Sequence, residues 1–177
     1  QYCQDNDITV IYGEFNPPTP SMKDSERWVE MSVNYLNHLV NDLGFDCIKH
    51  FVIFNEPDGD WATTDGDLDL WLSMARRFDA EMASYPGLKE KVSLAAPDVV
   101  VHWVHPRTGL AAADWISRTA EEINDLVGIY DIHAYPGQTE VRDGSYAEKL
   151  RKLRSLVPEG KKMILGEAGF KYENPED

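Results

Sequence analysis

Two glutamates in this chain sit where a carboxylate is seldom left without a task. Glu56 follows the apolar run "HFVIF" in "HFVIFNEPDGDW", His50 to Trp61, and Pro57 comes directly after it. Glu167 closes the apolar part of "KMILGEAGF" in the same way. Ionisable side chains are rarely buried unless they are paired or used. Two carboxyls facing each other across a bond can divide the work of glycoside hydrolysis. One protonates the leaving oxygen, and the other attacks the sugar carbon or activates water. A separation of about 5–5.5 Å makes such a reaction retaining, through a covalent intermediate. At that range like charges keep one carboxyl protonated while the other is ionised. Taken singly, either glutamate could as readily cap a helix or pair with an arginine. The two contexts together favour one shared site.

The elements that must position them alternate along the chain. "ITVIYGEF" (8–15), "HFVIF" (50–54), "VSLAAPDV" (92–99), "GIYDIHAY" (128–135) and "KMILGEAGF" (162–170) are β-branched or apolar runs and predict strands. Between the first two, a helix is predicted with Ser21 or Asp24 as its cap, and Gly44 stops it. Its apolar stripe is Trp28, Met31, Tyr35, Leu36, Leu39 and Leu43. The next helix puts Leu68, Trp71, Met74, Ala75, Phe78 and Met82 on one face, and Pro86-Gly87 ends it. A third spans 112–126, with Trp115, Ile116, Ile123 and Leu126 as its apolar positions. "SYAEKLRKLRSLVPEG" predicts a short basic helix, and "KYENPED" is a polar tail.

Alternating strands and helices with near-continuous apolar strands define an α/β fold with a parallel sheet. "EFNPPTPS" after the first strand is not the glycine-rich phosphate turn of a doubly wound sheet. Polar residues gather instead at the strand ends: Glu14 and Asn16, Asn55 and Glu56, Asp98, His133 and Tyr135, Glu167. That arrangement is the one a (β/α)₈ TIM barrel uses for chemistry. A complete barrel takes roughly 250 residues and eight units. Residues 1–177 are therefore expected to form a single catalytic domain, a partial barrel of about five parallel strands that lacks the opening strands and the last one. The remainder of the barrel is expected from elsewhere in the protein.

Composition narrows the partners. The formal charge of −14 disfavours nucleic acid and anionic membrane, both of which call for basic surface. It suits a neutral carbohydrate substrate, and it suits plain solubility. No apolar run is long enough to span a membrane. No signal peptide opens the chain, and a mature secreted protein would look the same. Cys3 and Cys47 each precede a strand, and those strands would be neighbours, so a disulfide at the bottom of the barrel is geometrically allowed. Such a bond would indicate an oxidising compartment; the cysteine count alone leaves the compartment open. No cysteine and histidine cluster suggests zinc.

"FNEPDG" resembles the Asn-Glu-Pro signature at the end of strand four in the clan of retaining (β/α)₈ β-glycoside hydrolases, which includes cellulases, mannanases and β-xylosidases. "DIHAYPG" resembles that clan's sixth strand, and "ILGEAGF" is similar to its seventh, which carries the nucleophile. The five strands would then be three to seven. The resemblance implies Glu56 as acid/base and Glu167 as nucleophile. It implies Asn55 on the sugar 2-hydroxyl, Tyr135 donating to Glu167, and His133 lining the pocket near the acid/base. A two-glutamate double displacement needs no cofactor and no metal. A polysaccharide- or oligosaccharide-degrading enzyme of this kind is expected to be secreted or periplasmic. The alternative is a catalytically inactive carbohydrate-binding barrel. A third class, metal-assisted chemistry on the same carboxylates, predicts loss of activity to a chelator.

Other residues carry two readings each. Trp61 is either a platform for a sugar ring or packing under its loop. In "HWVHP" (102–106), His102, Trp103 and His105 are candidates for sugar contact, with loop packing as the plainer reading. Glu14 and Asn16 could touch substrate; Asn16 fits a turn role before Pro17-Pro18 equally well. "DGDLD" (65–69) alternates acids like a calcium loop but has Arg76 where an EF-hand needs Glu, and is better read as a helix cap.

Overall fold

The computed structural model describes residues 1–14 and 16–171. Five strands, β1 (Val10–Gly13), β2 (Ile48–Val52), β3 (Ser93–Val100), β4 (Val127–Ala134) and β5 (Lys162–Ala168), form one parallel sheet in chain order. Strands in sequence order, each joined to the next by a helical crossover, make a half-barrel of the expected α/β class. The polar tail expected after the last strand lies mostly outside the described residues, from 172 onward.

The helices are α1 (Tyr2–Asp5), α2 (Glu26–Asn37), α3 (Leu68–Ala83), α4 (Leu88–Lys91), α5 (Ala112–Glu122), α6 (Gln138–Asp143) and α7 (Ser145–Leu156). Of these, α2, α3, α5 and α7 cover the convex face of the sheet. Trp28, Phe51, Phe54, Phe78, Trp71 and Trp115 are buried between the two layers. The Trp28 ring meets Phe54 and Phe78 edge-on, and Trp71 meets Trp115 in the same way. Fully burying one such aromatic contributes about 1.5–3 kcal/mol. The concave face is polar at its upper end and open, with Ile11 exposed on it.

The α3 face is as predicted, and all six of its apolar residues are buried. Asp67 caps that helix by accepting from the Leu70 N–H at 2.9 Å. The α2 stripe is different. Met31, Tyr35 and Leu43 are exposed, while Trp28, Val29, Val33, Leu36 and Val40 are buried. Residues 29, 33, 36 and 40 share a helical period too, and this aliphatic stripe of three valines and Leu36 is the one turned to the core. The helix starts after Ser25, not Ser21 or Asp24, and ends in a π turn over His38–Asp42. Cys3 and Cys47 are free thiols. Gln4 links their two segments instead, donating to the Gly44 carbonyl at 2.9 Å and accepting the Cys47 N–H at 3.1 Å.

Candidate active site

The upper ends of β1 to β5 enclose an open cavity of about 260 Å³, lined among others by Asn55, Asp98, Asp131, His133 and Glu167. Glu56 lies in the first turn after β2 with a left-handed backbone, φ 47°. Asp98, near the end of β3, is also left-handed, φ 65°. Such backbone costs a non-glycine residue on the order of 1–3 kcal/mol and collects at functional sites. The pairing of β3 with β4 slips between Pro97 and Val99, and that of β4 with β5 slips between Ile132 and His133. These irregularities re-aim Asp98 and His133 at the cavity mouth.

The two glutamates meet there. A carboxyl oxygen of Glu56 and one of Glu167 lie within 4.8 Å of each other. His133 stands between them, its Nδ1 at 3.0 Å from Glu56 Oε1 and 3.8 Å from Glu167 Oε2. Its other nitrogen, Nε2, is 3.1 Å from Asp98 Oδ1. A neutral imidazole donates from one nitrogen only, so a ring that donates to an ionised carboxylate on each side carries both protons. Burial alone would lower the His133 pKa, but Asp98 and Glu56 outweigh it and push it up to about 9. Tyr135 donates its hydroxyl to Glu167 Oε2 at 2.5 Å, and that carboxylate holds the phenol up at about 12. The indole N–H of Trp61 donates to Glu56 Oε2 at 2.8 Å. Trp61 in turn meets Trp103 edge-on, with ring centroids 4.7 Å apart.

The remaining sequence candidates are distributed differently. Asn55 lines the cavity. Glu14 stands at its edge, but its carboxyl hydrogen-bonds Ser32 of α2, and burial raises its pKa. Ile11 and Gly13 line the cavity with it, while Tyr12 stacks on Phe51 on the helix side. Asn16 accepts from both the Thr63 N–H (3.2 Å) and hydroxyl (2.8 Å), so it ties two loops together. His102 and His105 serve different partners. His102 lies beside Glu140 and Lys149, while buried His105 bonds Asp65 at 3.2 Å.

Three acids escaped the sequence reading as site residues. Asp98 was visible only as a polar strand end. Asp58, with no exposed surface, accepts from the Val100 N–H; Asp131 accepts from the Gly166 N–H at 2.8 Å. Burial raises both to about 7. The available signals were the spacing of Asp131 and His133, two apart and so on one strand face, and of Asp58, two past Glu56. Among the described residues, Glu56, His133 and Glu167 form one group of ion-ligand spacing, and Asp98, Asp131 and His133 another. Both share His133, whose Nδ1 faces Glu56 and whose Nε2 faces Asp98.

Two solved structures share this fold. A GH39 β-xylosidase from Caulobacter crescentus superposes with a TM-score of 0.61 at 14% identity, over 93% of this chain and 33% of that one. A monomeric β-xylosidase from Caulobacter crescentus CB15 gives 0.59 at 11% identity, over 93% of this chain and 34% of that one. The chain thus spans about a third of the length of either enzyme. The likeness is one of fold: a partial TIM barrel of glycoside hydrolase type. No protein-family model and no curated protein matches the sequence.

Proposed function

We propose that this chain carries the catalytic face of a retaining β-glycoside hydrolase acting on polysaccharide or oligosaccharide. The observation that carries the reading is the approach of Glu56 and Glu167 to within 4.8 Å across one cavity mouth. That approach is in keeping with the about 5–5.5 Å of a retaining pair rather than the about 6.5–9.5 Å of an inverting one. In the first step Glu167 attacks the anomeric carbon while Glu56 gives a proton to the departing oxygen. In the second Glu56 takes a proton from water, which displaces Glu167 and frees the sugar. Tyr135 keeps the attacking carboxylate in line. Asn55 is assigned to the sugar 2-hydroxyl, a contact that strengthens in the transition state. Trp61 and Trp103 form an aromatic wall on the Glu56 side, where the leaving group departs.

The fold shared with two β-xylosidases supports a β-linked sugar as substrate. The same reading places the chain within a complete barrel, in a secreted or periplasmic protein. Alanine at Glu56 or Glu167 in the full-length protein should abolish hydrolysis of a β-glycoside and leave sugar binding in place. Turnover that survives both substitutions overturns the assignment. Sugar binding without turnover in the unaltered protein would identify a binding barrel instead. Activity lost to a chelator and restored by a divalent ion would point to metal-assisted chemistry.

A further inference from the structure

The ladder between β2 and β3 ends where Phe51 pairs Leu94, yet β3 continues to Val100. Two carboxylates bridge the stretch beyond. Asp98 accepts the Glu56 backbone N–H on Oδ2 at 3.1 Å. Asp58 accepts the Val100 backbone N–H on its two oxygens at 3.1 and 3.3 Å. The two ties run in opposite directions between the same two segments. Both acids are buried, Asp98 at 4% exposure and Asp58 at 0%. The second oxygen of Asp98 engages His133, which holds the Glu56 side chain.

We propose that Asp98 is a positioning residue for the acid/base: it grips Glu56 from two ends, at the backbone N–H directly and at the carboxyl through His133. The inference rests on the role proposed above for Glu56. Asp98 sits behind that residue and His133, so it acts through them. Because each nitrogen of His133 faces a carboxylate, Asp98 also sets the charge of the ring. Asparagine at 98 separates these functions. Its Oδ1 can still accept the Glu56 N–H, while its Nδ2 donates to His133 Nε2, which must then give up its proton. The shape survives and the imidazolium does not. Alanine at 98 removes both ties.

Two measurements on the full-length protein test this. The first compares kcat/KM for aryl β-glycosides with a good leaving group (dinitrophenol) and a poor one (phenol), in the unaltered protein, Glu56→Gln, Asp98→Asn and Asp98→Ala. Acid catalysis matters for the poor leaving group and little for the good one. Asp98→Ala is expected to slow the phenyl glycoside by roughly ten- to a hundredfold and the dinitrophenyl glycoside only a few-fold, a weaker form of the Glu56→Gln pattern. Equal losses on both substrates would overturn the positioning role. If Glu56→Gln itself lacks the pattern, the acid/base assignment falls, and this inference with it. The second measurement needs no turnover: nitrogen NMR of the His133 ring, which faces Glu56, Glu167, Asp98 and Asp131. The unaltered ring should carry both protons at pH 7 and titrate near 9, whereas Asp98→Asn should move that titration well down. A titration unmoved by Asp98→Asn would overturn the proposal.

Discussion

Both oxygens of Glu56 are engaged at once: the Trp61 indole N–H donates to Oε2 at 2.8 Å, and His133 holds Oε1 at 3.0 Å. Each oxygen keeps a second lone pair, so the proton for the leaving oxygen can sit on Oε2 beside the Trp61 contact, and the two bonds fix the orientation of the carboxyl. Trp61 is 51% exposed, so its outer face is open to a ligand beside Glu56. Trp61→Phe keeps the ring and deletes the donor; it should change kcat/KM a few-fold while leaving KM nearly intact. Trp61→Ala also removes the wall beside Trp103 and should raise KM about tenfold, equivalent to about 1.4 kcal/mol. Steady-state kinetics on an oligosaccharide separates the two.

Tyr135 reaches Glu167 from the end of β4, across the pairing of His133 with Glu167 in the neighbouring strand. Its hydroxyl orders one lone pair of the attacking oxygen and does little for the fold. Tyr135→Phe is expected to lower kcat by roughly ten- to a hundredfold, about 1.4–2.7 kcal/mol, with an unchanged melting temperature. A comparable loss of stability would make the residue structural.

Gly166 leaves no space for a side chain. A Cβ there would lie 2.3 Å from Asp131 Oδ1, the atom that accepts the Gly166 N–H. Gly166→Ala must push β5 outward or drive a buried carboxyl off its partner. The expected cost is about 1–3 kcal/mol, or about 2–4 °C in Tm for each kcal/mol. Thermal unfolding checks it, and because Glu167 is the next residue, activity should fall further than stability.

Stability should decline as the solution becomes basic. The folded state raises His133 from 6.5 to about 9, so it binds more protons than the unfolded chain between those values. The stabilisation is complete below about pH 6.5 and lost as pH rises through about 9. Its size is on the order of 3 kcal/mol at most. Asp58, raised from 3.8 to about 7 by burial, acts with the same sign at lower pH. The melting temperature should therefore fall steadily from pH 6 to pH 10, and Asp98→Asn should flatten the upper part of that slope. A Tm that rises over this range would contradict the imidazolium assignment.

The sequence alone determined the sheet class, the order of its strands and the residues at their upper ends. Those features are local. An apolar run predicts a strand, and its last residues must emerge at one end of a parallel sheet, so Glu56, His133, Tyr135 and Glu167 could be placed on the same side before any contact was known. The buried face of α3 was legible for a similar reason, since one helical stripe dominates it. In α2 two apolar stripes compete, and only packing into the core selects Val29, Val33 and Val40 over Met31 and Tyr35. Glu14 illustrates the limit at the site itself. Its position at a strand end was visible, but which way it turned depended on the pleat of β1 and on Ser32. The ties through Asp98 and Asp58 were beyond sequence reasoning altogether, because each joins residues 42 positions apart. A carboxylate that accepts a backbone N–H leaves no pattern in the residue it binds, since every non-proline residue offers the same donor. Tertiary structure decides those partners: only the folded half-barrel brings the two left-handed turns within hydrogen-bonding distance.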